Sequence, residues 1–358
     1  MALANLDDAR VYARLDPSGL GQRIASLGQQ CKEAWAKAND WNIPTSYAAV
    51  DRVIIQGMGG SAIAGDLLSD LASLEKSPQI SVWRDYGLPT YVNSKTLFIA
   101  SSYSGDTEET LDGLERAIKA KAKIAAVTSG GKVLAIAKSK RLPAFQIKYR
   151  GEPRTSLGYS FMPLISIACK LGLIKDKSKD VYEAVSILQR GNKELDPEIP
   201  TAKNSAKKLA IELHGKVVAV YGSGFLSNAA RRFKGQINEN SKGWAFYDLL
   251  PELDHNSVVG YQFPDRASKT DMRVILLRSQ KLNERTLLRY DVTKQILALS
   301  GGNASILDAK GNSGLAQMLN LIQLGDYTSY YLAILNGIDP APVRVINFLK
   351  EELLKAKY

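Results

Sequence analysis

The stretch Arg52-Val53-Ile54-Ile55-Gln56-Gly57-Met58-Gly59 decides the fold. A short apolar run stops at a glycine turn, and a helical pattern follows. Such a run reads as a strand buried on both faces, the signature of a parallel sheet covered by helices. The reading returns at Lys216-Val217-Val218-Ala219-Val220-Tyr221-Gly222-Ser223-Gly224. The elements that follow match in the same order. Ile80 to Arg84, ending near Leu88-Pro89, pairs with Trp244 to Tyr247, ending near Leu250-Pro251. Thr96 to Ser101 pairs with Met272 to Leu277, the segment around Thr110-Leu111 with that around Thr286-Leu287, and Lys123 to Val127 with Ala304 to Leu307.

An ordered internal match of this length implies a repeated architecture. The chain is expected to be α/β, with two doubly wound parallel-sheet subdomains, each three layers deep (α/β/α), flanked by N- and C-terminal helices. The expected organisation is a helical segment over 1–44, a first subdomain over 45–175 and a helical linker over 176–204. A second subdomain follows over 205–335, and a C-terminal helix over 336–358, started after Pro340 and Pro342.

In open α/β sheets, ligands sit beyond the carboxyl ends of the strands. Two first-half loops there carry anion-binding chemistry. Gly57-Met58-Gly59-Gly60-Ser61-Ala62 brings backbone N–H groups and a helix start to one place. Ser101-Ser102-Tyr103-Ser104-Gly105-Asp106-Thr107 is dense in hydroxyls and also opens a helix. Converging from neighbouring strands, they suit a phosphate monoester without a lysine. Two plainer readings stand beside this one. Gly57-x-Gly59-x-x-Ala62, with Asp85 beyond the second strand, fits a dinucleotide fingerprint, and Ser104 or Asp106 could simply cap its helix. The second-half counterpart, Leu277-Arg278-Ser279-Gln280-Lys281-Leu282-Asn283, has lost the hydroxyl chemistry.

The groups able to move protons are few. Of the two histidines, His214 precedes a strand and reads as a helix C-terminus partner. His255, in Pro251-Glu252-Leu253-Asp254-His255-Asn256, follows a strand's carboxyl end, where active groups gather. Glu239 lies in the polar run Gly235 to Lys242, and its ordinary fate is a solvated helix end. Arg154, in Gly151-Glu152-Pro153-Arg154-Thr155-Ser156-Leu157-Gly158-Tyr159, reads as a positioned cation or a surface arginine. Lys350, on the last helix, reads as solvent-facing.

Together these segments resemble a known family. Gly57-Met58-Gly59-Gly60-Ser61 and Ser101 to Thr110 look like a sugar isomerase (SIS) domain. Glu152 to Tyr159, Ile237-Asn238-Glu239-Asn240 and Leu253-Asp254-His255-Asn256 narrow the likeness to the bifunctional phosphoglucose/phosphomannose isomerases, from about Arg52 to Lys350. The resemblance implies a metal-independent aldose–ketose isomerase acting on hexose 6-phosphates through a cis-enediolate, in a homodimer without a cofactor. It implies that Gly60, Ser61, Ser102, Ser104 and Thr107 bind the 6-phosphate and that Glu239 shuttles the proton between C1 and C2. Arg154 would stabilise the enediolate. His255 would open the sugar ring, reaching in across the dimer interface. Lys350 is the match for a lysine that assists at the ring oxygen. Alternatives are another SIS phosphosugar isomerase, or a phosphosugar-binding regulator that keeps the loops without the chemistry.

Composition agrees with this. Apolar residues at 45% and charged residues at 23% over 358 residues describe an ordinary globular chain of about two domains. Two cysteines, Cys31 and Cys169, cannot form a disulfide framework. The net charge of +11 admits nucleic acid as a partner. The cations are scattered, however, as at Lys119, Lys121 and Lys123 or Arg231, Arg232 and Lys234, and no nucleic-acid-binding motif accompanies them. A basic surface also steers anionic metabolites inward. No run approaches the ~18 to 20 apolar residues of a membrane span, and no basic, apolar leader opens the chain. The expected setting is cytoplasmic.

Overall fold

The computed structural model describes residues 4–355. Among these residues nine strands form two parallel sheets. The first contains β1 (Arg52–Gln56), β2 (Gln79–Trp83), β3 (Thr96–Ser102), β4 (Lys123–Thr128) and β5 (Ala144–Gln146), in the spatial order β2-β1-β3-β4-β5. The second contains β6 (Val217–Ser223), β7 (Ala245–Leu250), β8 (Met272–Arg278) and β9 (Ala304–Asp308), in the order β7-β6-β8-β9. The repeat read in the sequence is therefore a repeat of topology. β5, only three residues long, has no second-half equivalent and is too short to leave a periodic signal.

Strand residues alternate between faces, and the alternation sorts each sheet between two cores. Val53 and Ile55 of β1, with Val218 and Val220 of β6, face one continuous core shared by both halves. Ile54, Phe98 and Ala100 face the other way, onto Leu114, Ala117, Val133 and Ala137 of the Glu108–Lys119 and Gly131–Ser139 helices. Ala219, Tyr221, Val274 and Leu276 likewise face outward, onto Tyr290 and Leu297 of the Glu284–Leu299 helix. Each sheet thus has a helical layer on both faces. Each of the larger buried side chains contributes about 1.5–3 kcal/mol by leaving water.

The layer between the sheets carries the helices that position the site. They are Leu27–Asn39, Gly59–Ala72, Leu157–Lys170, Ser178–Leu195, Ser227–Gln236 and Gly314–Leu335. The last is buried along nearly its whole length, from Leu315 to Leu335, because tyrosines as well as aliphatic residues face inward all round it. The C-terminal helix Arg344–Lys355 is different: Val345, Phe348, Leu349 and Leu353 all stand exposed on it.

Candidate active site

In the order β2-β1-β3, the chain leaves β1 towards opposite edges of the sheet, so a crevice opens beyond the ends of β1 and β3. Both loops named above lie there. A side chain at Gly57 would put its Cβ 2.4 Å from the Ser101 carbonyl oxygen, so only glycine lets the loops approach this closely. They are then tied twice. Ser101 Oγ donates to the Ser61 carbonyl at 3.0 Å, and the Tyr103 N–H donates to Ser61 Oγ at 3.0 Å. The hydroxyls of Ser102 and Thr107 lie 3.0 Å apart, with Ser102 Oγ accepting from the Gly105 N–H. Ser104 is exposed at the rim.

Neither helix that starts at this crevice is capped by a side chain. The N-cap of Gly59–Ala72 is Met58, and that of Glu108–Lys119 is Thr107. The simple capping reading of Ser104 or Asp106 is therefore wrong. Ser104 Oγ takes the Asp106 N–H at 3.3 Å, and the Asp106 carboxylate takes the Lys132 N–H at 3.0 Å. The first-turn N–H groups and helix dipoles stay available to an anion. Asp85, the acid of the dinucleotide reading, turns back on its own loop to accept the Tyr86 N–H at 2.8 Å.

The Arg154 loop abuts this crevice. At Gly60 a Cβ would stand 3.0 Å from the Pro153 carbonyl carbon and oxygen, so the missing side chain is what seats Pro153–Arg154 against the first loop. The N-terminal helices brace it from behind. Arg23 pairs with Glu152 at 2.8 Å, and Gln30 Nε2 donates to the Thr155 carbonyl at 2.7 Å. Arg154 itself is 3% exposed, which excludes the surface-arginine reading. Its Nε donates to Asn240 Oδ1 at 2.7 Å, and its Nη2 to the carbonyls of Pro340 and Ala341 at 2.9 and 2.7 Å. Among the described residues only Nη1 makes no hydrogen bond, and it lies 3.7 Å from Glu239 Oε2. Burial pulls the Arg154 pKa down, and Glu239 pushes it back up.

Glu239 reaches this point because the Ser227–Gln236 helix runs on into a π-turn, Ile237–Ser241. Single π-turns of this kind are frequent at functional sites. A closed circuit of buried groups fixes the pair. Asn240 Nδ2 donates to Ser329 Oγ at 2.9 Å, and Ser329 Oγ donates to the Asp326 carbonyl at 2.8 Å. The Asp326 carboxylate pairs with Arg232 at 2.7 Å, and Arg232 Nη2 donates back to the Arg154 carbonyl at 3.1 Å. Burial raises the Asp326 pKa, and Arg232 opposes that shift.

Arg154, from the first half, and Glu239, from the second, are thus brought together beside the hydroxyl-lined crevice. His255 and Lys350 are not brought to them within one chain. Both are exposed, and neither makes a hydrogen bond or ion pair with Arg154 or Glu239 among the described residues. Sequence reasoning missed Asn240, Arg232 and Lys242, although the polar run around Glu239 contains two of the three. It also missed Gln56, whose Nε2 donates to the carbonyls of Asp85 and Glu109 and so ties the end of β1 to the loops on either side. Among the described residues, no group of three or more His, Cys, Asp and Glu side chains is arranged to hold a metal ion. No helix there is long and apolar enough to cross a membrane.

Residues 202–353 match the bacterial phospho-glucose isomerase C-terminal SIS domain, which defines the class as SIS-domain α/β proteins. The solved structure of a hypothetical protein from Thermus thermophilus shares the fold over 97% of this chain and 93% of that one, with a TM-score of 0.71 and 19% identity. The chain is 39% identical to the bifunctional phosphoglucose/phosphomannose isomerase of Caldicellulosiruptor bescii, over 94% of this chain and 99% of that protein. It is 36% identical to that of Aquifex aeolicus, over 85% and 90%. The chain belongs to the bifunctional phosphoglucose/phosphomannose isomerase family.

Proposed function

We propose that the chain interconverts glucose 6-phosphate and mannose 6-phosphate with fructose 6-phosphate. The observation that carries the reading is the approach of Arg154 Nη1 to Glu239 Oε2, 3.7 Å apart beside two uncapped helix starts. The phosphate binds at the crevice, against the hydroxyls of Ser61, Ser102, Ser104 and Thr107 and the N–H groups from Gly60 onward. The Glu239 carboxylate takes the proton from C2 of an aldose and returns it to C1 on the same face; one carboxylate serves both steps. Charge develops on the enediolate oxygens between them, and the one guanidinium nitrogen not committed to the protein, Nη1, meets it. This route needs neither metal nor cofactor. Because the enediolate has no stereocentre at C2, either epimer reaches it if the pocket lets the C2–C3 bond turn.

Ring opening calls for a further acid–base group, and His255 fills that role from the partner subunit of a homodimer, with Lys350 assisting at the ring oxygen. The exposed apolar face of the C-terminal helix, together with Trp244 just before the edge strand β7 and Phe246 on it, supports assembly of two copies; the enzyme we propose is cytoplasmic.

The test is a coupled assay on fructose 6-phosphate in the presence of EDTA, detecting glucose 6-phosphate and mannose 6-phosphate separately. Formation of both is expected, with the hydrogen that leaves C1 of fructose 6-phosphate exchanging with solvent before one is delivered to C2 of the aldose. Full retention of label would instead indicate a hydride shift and remove Glu239 from its role. Binding of fructose 6-phosphate without either product would make the chain a regulator.

A further inference from the structure

We propose that Lys242 is a positioning residue, whose ammonium clasps the main chain of the Glu239 turn to the Asp339–Pro340 segment and so holds the Glu239 carboxylate opposite Arg154. The catalytic consequence rests on the isomerase reading; the clasp itself does not.

The backbone gives the first sign. Lys242 ends the π-turn with φ +53°, in the left-handed region. That position at the end of a helix is ordinarily glycine, since a Cβ there meets the following carbonyl oxygen. A glycine is available one residue on, at Gly243, yet the strained position carries a long cationic side chain. Local chain geometry gains nothing from a lysine here, so the side chain is the feature to be explained.

Its placement gives the second. Lys242 is an exposed residue, and an exposed lysine normally extends its ammonium into water. This one turns inward, onto four carbonyl oxygens: Glu239 at 2.9 Å, Asn240 at 3.2 Å, Asp339 at 3.3 Å and Pro340 at 2.9 Å. An ammonium has three N–H donors and no acceptor, which suits a cage of carbonyls. Two of these oxygens belong to the π-turn, whose widened geometry leaves terminal carbonyls without helical partners. The other two belong to the segment that leads into the C-terminal helix.

The third is the arrangement with Arg154. Arg154 also grips the Pro340 carbonyl, so two cations share one acceptor on either side of Glu239. Arg154 holds the carboxylate of Glu239 and Lys242 its carbonyl. The charged groups around the ammonium are Arg154, which opposes its charge, and Asp339 and Glu239, which favour it. Crowding by protein and the Arg154 charge together bring the Lys242 pKa down to about 8. The clasp is therefore charged at neutral pH and lost above about pH 8.

The test uses the full-length chain and two substitutions, Lys242→Met and Lys242→Arg. Amide hydrogen exchange is followed in the segments 237–243 and 339–341, and kcat, KM and their pH dependence are measured with fructose 6-phosphate. Lys242→Met is expected to speed exchange in both segments and to lower kcat at least tenfold with KM within threefold. Lys242→Arg is expected to restore slow exchange and most of kcat, and to move the alkaline limb of kcat from near pH 8 upward by a unit or more. Unchanged exchange in both segments of a folded Lys242→Met chain overturns the proposal, as does a kcat within twofold of the parent. Should the Met variant not fold, the alkaline limb of Lys242→Arg decides: a limb that stays where it was overturns the clasp. Exchange needs no substrate, so a parent chain that fails to isomerise fructose 6-phosphate refutes the isomerase reading and leaves the clasp to be judged by exchange alone.

Discussion

The two halves share one topology and differ most where β1 and β3, and β6 and β8, end. At the first crevice both helix starts are free of side-chain caps, and the loops offer hydroxyls. At the second, the equivalent positions are spent on the protein itself. Asn283 caps the Glu284–Leu299 helix by accepting the Arg285 N–H at 2.9 Å. Leu282 Cδ2 stands 3.0 Å from where a Cβ on Gly224 would be, filling the space above the glycine turn. Ser279 Oγ is committed to Gln317 Oε1 at 2.5 Å. In the first half the Gly59–Ala72 helix presents its beginning to the crevice. In the second half the equivalent Ser227–Gln236 helix presents its end, as the π-turn with Glu239. On the proposed reading, the repeated fold yields one composite site, with anion binding assigned to one half and proton transfer to the other.

The sharpest way to break this division is to separate the two functions by mutation. Glu239→Gln keeps the size of the side chain and removes its basicity. It is expected to lower kcat by about 10³-fold, within the range for loss of a general base, while the KM for fructose 6-phosphate changes only a few-fold. The coupled assay reads both. A comparable rise in KM would mean that Glu239 belongs to binding as much as to chemistry, and the division between the halves would fail.

The equivalent helices meet at Asp70, and this contact makes their packing pH-dependent. Asp70 accepts the Asn228 N–H at 2.8 Å and Asn228 Nδ2 at 2.9 Å, joining the first-half helix to the start of the second. Burial pushes its carboxyl from 3.8 up to about 7. Between those values the folded chain holds a proton that the unfolded chain has released. Stability therefore falls as pH rises from about 4 to about 7, and the loss is complete above that. Asp70→Asn carries no charge to bury. Urea unfolding at pH 5 and pH 8 should show the gap between the two stabilities shrinking by about 2 kcal/mol in the variant. An unchanged gap would falsify the assignment of the slope to Asp70.

How much of this was legible in the sequence follows from what each feature depends on. The strand repeat was legible because buried parallel strands must be continuous apolar runs, and the runs recur in order. The two loops were legible because glycine and hydroxyl density are local properties. The role proposed for Arg154 needed the resemblance, since a lone arginine between Pro153 and Thr155 has no period; its burial depends on Pro340, Ala341 and Asn240, far away in the chain. Lys242 and Arg232 were illegible for a related reason. In a polar run, a charge turned inward and a charge turned outward are written with the same letters. Asp326 lies in the middle of an apolar helix, where only the partner Arg232 accounts for it.

Smaller changes sharpen the contrast between the crevices. Ser104 stands at the rim of the first, with a hydroxyl that holds only the Asp106 N–H. Ser104→Ala should weaken binding of inorganic phosphate or fructose 6-phosphate about tenfold, the loss of one hydrogen bond to a charged group, with little change in thermal stability. Isothermal titration gives the affinity. Equal affinity in the variant would move the phosphate deeper, towards Ser61 and Ser102.

The matching change in the second crevice is Asn283→Ala, and it should do the opposite. Among the described residues Asn283 supplies the only side-chain hydrogen bond at its helix start, so its loss leaves the Arg285 N–H to water. Replacing an N-cap asparagine by alanine costs about 1 kcal/mol, visible as a fall in unfolding midpoint, because a helix start that is not reserved for a ligand has been tuned for stability. Affinity for phosphosugar should not move. If Asn283→Ala instead created a second phosphate site, measured as a binding stoichiometry above one per chain, the cap alone would be what closes the second crevice. If it did not, Leu282 over Gly224 and the Ser279–Gln317 bond close it as well, and opening an anion site in that half needs several substitutions rather than one.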